Sequence, residues 1–267
     1  VTSREIEKRE FPENKLTGRL KLAFKWLNGR ADNLLDAGCS YGYGTRFLKT
    51  KSKNTYAIDM DELHIEIASK RYPDVKFSVG SVENTIFGVG FFDEIVLLDV
   101  LEHTHDKIRT LNEMHRILKP GGTIIISTPH RGLFSLLDPY NYGYNFRKYL
   151  PFLYKFVYKA IRLIKEKKIP KKFNPIHLEK HEHYSLKDFI EMLSISNFDN
   201  NFEIEKVFRS GLFFEVFAMN LEVFLSIFLK RELVRSILAP FIWLGNVDYW
   251  IPYGPFAYNI ALKIRKK

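Results

Sequence analysis

Three groups of residues have types and spacing that could do chemistry. The first is the stretch 34–44, in which an apolar run ends in Asp36, Gly38, Cys39, Ser40 and Gly42. Glycines at that spacing let a chain bend tightly and bring its N–H groups toward a nucleotide. A helix opening behind the turn would favour a carboxylate or phosphate at its N-terminus. Asp59, about 20 residues on, closes a second apolar run at the position where a carboxylate can hold a ribose diol. The second group is Asp99, Glu102 and His103, at the end of another apolar run, with His103 as a general base. The third is His177, His181 and His183, whose spacing suits either a zinc ion or acid–base work near neutral pH.

These residues need elements to position them, and the pattern supplies those elements. Apolar runs at 34–37, 55–58, 75–79, 91–98 and 123–127 alternate with helical patterns at 62–71 and 106–118. A further helix is expected at 16–27, ahead of the first strand. Lys119-Pro120-Gly121-Gly122 reads as the turn before the strand at 123–127, and such alternation implies a parallel sheet with helices on both faces. Ser185 and Asp188 are spaced as a capping box, so a helix follows over 185–193.

The residues resemble the class I methyltransferases that use S-adenosylmethionine, over 34–130 and more loosely to the C-terminus. Asp36-x-Gly38-x-Ser40-x-Gly42 looks like that family's first motif, with Ser40 where a glycine is usual. Asp99-Val100-Leu101-Glu102-His103 looks like its fourth-strand end, and Leu118-Lys119-Pro120-Gly121-Gly122 like the turn before its fifth strand. The resemblance implies an α/β fold, a Rossmann-like doubly wound seven-stranded sheet whose last strand is antiparallel, with strands at 202–208 and 256–264 completing it. It implies S-adenosylmethionine as cofactor, bound along Asp36, Gly38, Cys39, Ser40, Gly42, Asp59, Met60, Ser81, Val82 and Asp99. Asp36 would orient the methionine end, and Ser81 stands where the family often has an adenine-binding Asp, leaving the Val82 backbone to serve. Asp99, Glu102 and His103 are also similar to a metal-binding arrangement of some quinone-biosynthesis O-methyltransferases, although Asp replaces its first Glu, and no metal is assigned. Family relatives carry histidines before the helix at 185–193 that close the substrate pocket. That favours a pocket role over zinc, with His181 or His183 deprotonating a hydroxyl acceptor.

At 267 residues, with 46% hydrophobic content, the chain is read as one methyltransferase domain over 1–267 carrying two embellishments, at 131–184 and 211–253. One cysteine excludes an internal disulfide, and with no charged-then-apolar signal before the first helix the expected setting is a reducing cytoplasm. The formal charge is +10, and eleven Lys or Arg against two Glu between 146 and 180 place most of it in the first embellishment. Within it, Pro151 opens a helix whose apolar positions Leu153, Phe156, Val157, Ala160, Ile161 and Ile164 follow helical spacing beside Lys155, Lys159, Arg162 and Lys165. Such a basic amphipathic helix either settles on an anionic membrane surface, making the protein peripheral there, or packs over a cleft. The run 212–229 is nearly long enough to span a bilayer, but Glu215, Asn220 and Glu222 interrupt it, so burial or partial immersion is expected.

The resemblance also sorts the acceptors. Methyltransferases of exocyclic DNA amines carry an Asn/Asp-Pro-Pro-aromatic motif where this chain has Asp99-Val100-Leu101-Glu102, and cytosine carbon-5 enzymes need a catalytic cysteine where Cys39 lies in the turn instead; DNA is therefore excluded. RNA is disfavoured, because the insert is rich in Phe, Leu and Ile on its apolar face rather than in spaced stacking aromatics. Leu-Glu-His with Thr128-Pro129-His130 is similar to methyltransferases of surface-polysaccharide and glycolipid pathways. The reading is an O-methyltransferase acting on a lipid-linked or amphiphilic acceptor such as a glycolipid, a lipid-carried saccharide or a quinone precursor. The alternatives are a soluble small-molecule or RNA methyltransferase, and a non-catalytic cofactor-binding interaction module.

Overall fold

The computed structural model describes residues 16–166 and 180–267. In chain order, the elements of the first part are α1 (Gly18–Trp26), β1 (Ala31–Ala37), α2 (Thr45–Leu48), β2 (Ser52–Asp59), α3 (Glu62–Arg71), β3 (Lys76–Val79), β4 (Phe92–Leu98), α4 (Lys107–Ile117) and β5 (Leu118–Pro129). They are followed by α5 (Pro139–Tyr149), α6 (Pro151–Glu166), α7 (Leu186–Ile195), β6 (Phe202–Ser210), α8 (Phe213–Phe228), α9 (Arg231–Asp248) and β7 (Asn259–Lys266).

The seven strands form one sheet in the order β3-β2-β1-β4-β5-β7-β6. β1 through β5 pair in parallel and the last strand is antiparallel, the expected architecture. Strands buried on both faces need continuous apolar runs, and β4 and β5 have them: Phe92, Ile95, Val96, Leu97 and Ile124, Ile125, Ile126 are all essentially inaccessible to water. α4 covers one face through Leu111, Met114 and Ile117, at helical spacing, and its first turn is capped by Asp106, whose carboxylate accepts the Arg109 N–H at 2.9 Å. α3 is built alike, with Asp61 accepting the His64 N–H at 3.1 Å. Ser185 and Asp188 form the expected reciprocal capping box at the start of α7.

Two local expectations change. The Lys119–Gly122 stretch does not precede β5 but bulges within it: Phe92 pairs with Leu118 while Glu94 pairs with Thr123, so the extra residues loop out between them. The last strand starts at Asn259 rather than at Phe256, because Gly254–Phe256 forms a short 3-10 turn.

The chain divides into two compact units, one within Val1–Pro129, Tyr184–Phe208 and Ile260–Lys267, the other within His130–His183 and Arg209–Asn259. The sheet belongs to the first. Residues 131–183 and 211–253 of the two embellishments fall within the second, where α8 and α9 pack as a helical pair. Asp248, at the end of α9, accepts the N–H groups of Leu212 and Phe214 at 2.9 and 3.2 Å and so satisfies the start of α8. Among the described residues no helix is long and apolar enough to cross a membrane.

Candidate functional site

The sheet order reverses direction between β1 and β4, since β2 and β3 build outward on one side and β5 onward on the other. Open α/β sheets take ligands outside the carboxyl ends of their strands at such a point. Asp36 ends in β1, Asp59 closes β2, and Asp99 and Glu102 follow β4, so four of the carboxylates singled out in the sequence gather along that edge.

The glycine turn after β1 is left-handed at three positions, with φ of 82° at Gly38, 46° at Ser40 and 73° at Gly42. A Cβ at Gly38 would lie 2.2 Å from Val100 Cγ2, and one at Gly42 would lie 2.9 Å from Phe77 Cζ. Both glycines therefore serve close packing inside the protein as well as conformation.

The donors of this turn are spent internally, contrary to the expectation that they face a ligand. Gly38 and Cys39 donate to the Ile58 carbonyl at 2.8 and 3.1 Å, and Gly42 donates to the Cys39 carbonyl at 2.9 Å. Ser40 N–H donates to Asp59 Oδ2 at 2.8 Å. The helix behind the turn is only the single turn Thr45–Leu48, too short to supply the anion-favouring dipole expected of it. What the turn offers instead is shape, beside a row of carboxylates.

Asp36 is buried, and the Thr45 hydroxyl donates to its Oδ2 at 2.5 Å. Burial pushes its carboxyl up to about 6; the Thr45 hydrogen bond opposes the rise and the Asp59 charge adds to it. Asp59 accepts from two backbone N–H groups, those of Ser40 and, at 3.0 Å, Asp61, and thereby ties the glycine turn to the start of α3. Cys39 is buried, and burial with the nearby Asp36 and Asp59 charges holds its thiol well above the usual range. Met60 is 70% exposed beside Asp59. Ser81 Oγ accepts the Glu83 N–H at 3.1 Å, and the Val82 side chain is in the core, leaving only its backbone for a ligand.

Asp99 adopts φ of 53° and donates its N–H to the Ser127 carbonyl at 2.9 Å. Its Oδ2 lies 2.5 Å from Arg19 Nε. Next along the chain, Leu101–His103 forms one 3-10 turn in which Glu102 is buried and His103 exposed. Neither carboxylate oxygen of Glu102 has a hydrogen-bond partner among the described residues. Burial, with the Asp99 charge, raises its carboxyl to about 8 against the opposing pull of Arg19 and Lys107, so it holds its proton at neutral pH.

Sequence reasoning missed Arg19, Thr45 and His64. Arg19 lies in a helix far from any motif and carried no signal. Thr45 sits one residue after the glycine turn, where a small hydroxyl residue could have been read as a partner for Asp36. His64 lies against Tyr41 with ring centroids 3.9 Å apart and the rings tilted by 45°, and its Nδ1 is 3.5 Å from Ser40 Oγ. It lies three residues after the Asp61 cap, which was the available signal.

In the second unit, His181 and His183 face Asp138, a residue with no motif to mark it. His181 Nδ1 lies 2.6 Å and His183 Nε2 2.9 Å from Asp138 Oδ2. His177 lies outside the described residues.

Residues 35–126 match a family model described as a methyltransferase domain. The chain is 32% identical over 103 residues to a probable S-adenosylmethionine-dependent methyltransferase of Mycolicibacterium smegmatis, covering 39% of this chain and 40% of that one. It is 29% identical over 119 residues to a ubiquinone biosynthesis O-methyltransferase of Pseudomonas aeruginosa, covering 41% and 51%. The aligned part thus spans about half or less of these relatives. Among solved structures, the MccD protein is similar with a TM-score of 0.56 at 17% identity, over 93% of this chain and 96% of that one. A geranyl diphosphate C-methyltransferase from Streptomyces coelicolor, solved with Mg2+, geranyl diphosphate and S-adenosyl-L-homocysteine, has a TM-score of 0.56 at 12% identity, over 93% and 78%. These two likenesses bear on the fold.

Proposed function

We propose that this chain, whose residues 35–126 match a methyltransferase-domain model, is a class I S-adenosylmethionine-dependent methyltransferase that methylates a hydroxyl of a lipid-linked or otherwise amphiphilic acceptor, such as a glycolipid, a lipid-carried saccharide or a quinone precursor. The observation that carries the cofactor assignment is the row of carboxylates at the carboxyl ends of β1, β2 and β4. A ligand with a sulfonium, an ammonium and a ribose diol fits that row, since each of these groups is favoured by a carboxylate acceptor. Asp59 would take the ribose, Asp36 and Asp99 the methionine end, and Met60, Ser81 and Val82 the adenine side, with Gly38, Cys39, Ser40 and Gly42 shaping the floor.

When bound, the cofactor supplies an already activated methyl group. The protein has to align an acceptor oxygen with it and accept that oxygen's proton. His103, exposed at the end of β4, is the base we assign to that proton. Glu102 beside it, protonated and with no hydrogen-bond partner among the described residues, would donate a hydrogen bond to a ligand oxygen.

The amphiphilic acceptor is supported by the second unit. Phe152 and Phe156 of α6 are 86% and 71% exposed, and Lys148, Lys155 and Lys159 are exposed among them. Apolar side chains left in water beside basic ones suit an anionic lipid surface. The segment 167–179, which carries more of the positive charge, lies outside the described residues.

Calorimetry with S-adenosylhomocysteine tests the cofactor site: binding is expected, with a loss of at least about tenfold in Asp59→Ala. Methyl-labelled S-adenosylmethionine incubated with a cell extract tests the acceptor. Label in the organic phase supports a lipid-linked or amphiphilic acceptor; label confined to small aqueous molecules or RNA overturns it while leaving the methyltransferase standing. Cofactor binding without label anywhere favours the non-catalytic module.

A further inference from the structure

Asp138 immediately precedes α5, and its side chain is wholly buried. Taking a carboxylate out of water costs several kcal/mol unless an opposite charge balances it. Two imidazole nitrogens face its Oδ2, His181 Nδ1 at 2.6 Å and His183 Nε2 at 2.9 Å, and the three atoms lie within 4.8 Å of one another. A cation held among these three atoms would supply that opposite charge.

We propose that Asp138, His181 and His183 bind a divalent first-row transition ion, with Zn2+ as the reference case. Two imidazole nitrogens and one carboxylate oxygen are the borderline donors such ions prefer, and three protein ligands leave a fourth position open. Bond lengths near 2.0–2.2 Å in a tetrahedron put ligand atoms about 3.3 Å apart. The two imidazoles would therefore withdraw from Asp138 by roughly 0.4–0.7 Å, within reach of small side-chain rotations.

The surroundings hold the ligands as an outer shell should. Asn141 grips the His181 backbone from both sides, accepting its N–H at 3.0 Å and donating to its carbonyl at 2.9 Å. The same Asn141 amide is 3.4 Å from Asp138 Oδ2. Arg131 Nε donates to the His183 carbonyl at 3.2 Å, and the His183 ring packs edge-on against Tyr258, centroids 6.0 Å apart. Tyr258 is anchored in turn by backbone hydrogen bonds with His130 and Gly211, both at 2.6 Å. Histidine spacing alone suited either a zinc ion or acid–base work; Asp138, 43 residues before His181, adds a charged ligand.

The proposal is independent of the methyltransferase reading, and its test uses neither cofactor nor acceptor. The full chain, stripped with chelator, is titrated with Zn2+ against a chromophoric competitor and with Co2+ by visible absorption. About one equivalent should bind at roughly micromolar affinity or better, with the absorption of a low-coordinate Co2+ site. Asp138→Asn, His181→Gln and His183→Gln should each weaken binding at least about tenfold. Two variants on separate ligands guard against one that fails to fold. No binding at submillimolar Zn2+, or binding that survives Asp138→Asn in a folded protein, would overturn the site.

Discussion

Arg19 Nε lies 2.5 Å from Asp99 Oδ2, so the helix ahead of β1 is pinned to the left-handed residue that follows β4. Both side chains are about 30% exposed, which limits the ion pair's share of stability to roughly 1 kcal/mol or less. Its larger effect is on conformation and charge at the strand end. Arg19→Met should weaken S-adenosylhomocysteine by about five- to tenfold while shifting the denaturation midpoint little, as calorimetry and urea unfolding would read. An unchanged affinity would remove Arg19 from the site.

Glu102 should make stability fall as pH rises. Its folded carboxyl sits at about 8 against an ordinary 4.5, so the folded state binds the extra proton between those values. Stability from this group is complete below about pH 4.5 and is lost through pH 8, at up to roughly 1.4 kcal/mol per pH unit. Glu102→Gln should flatten that slope and be the more stable protein above pH 8. Parallel stability–pH curves for the two proteins would contradict the buried, unpartnered acid.

Gly38→Ala places a Cβ 2.2 Å from Val100 Cγ2 at a φ of 82°. The two effects together should cost about 2–4 kcal/mol. Val100→Ala should return part of the loss in the double variant, because the obstructing atoms belong to that side chain. The strain of the left-handed backbone should persist, and a double-mutant cycle by chemical denaturation separates the two.

Phe152 and Phe156 bear on the lipid surface. Replacing both with Ser should reduce sedimentation with anionic vesicles more than tenfold, since each buried Phe contributes about 1.5–3 kcal/mol. Lys155→Gln and Lys159→Gln should each remove about 1 kcal/mol, an effect that salt should mimic. Wild-type protein that stays in the supernatant at low salt would end the membrane reading.

Most of the fold was legible because its signals are local. The apolar runs of β1, β4 and β5 and the Ser185–Asp188 box each depend on residues within a few positions of one another. The errors were local competitions too: the Pro120-Gly121-Gly122 stretch was absorbed as a bulge in β5, and Gly254–Phe256 turned before β7 could start. In the candidate site the carboxylates were readable from their positions at strand ends, but their states were not. That Asp59 is engaged by the Ser40 N–H, and that Gly38 and Cys39 give theirs to Ile58, depends on how β2 lies beside β1.

The sequence by itself determined the alternation of strands and helices, the glycine turn and the ordered row of acids, since periodicity, capping and turn chemistry act over one or two turns of chain. Only the tertiary structure decided that Arg19 meets Asp99, that Glu102 is buried with its oxygens unpartnered, and that Asp138 gathers His181 and His183. Those relationships join residues that are remote along the chain, and their charge states follow from burial, which exists only once the sheet and its surrounding helices have excluded water.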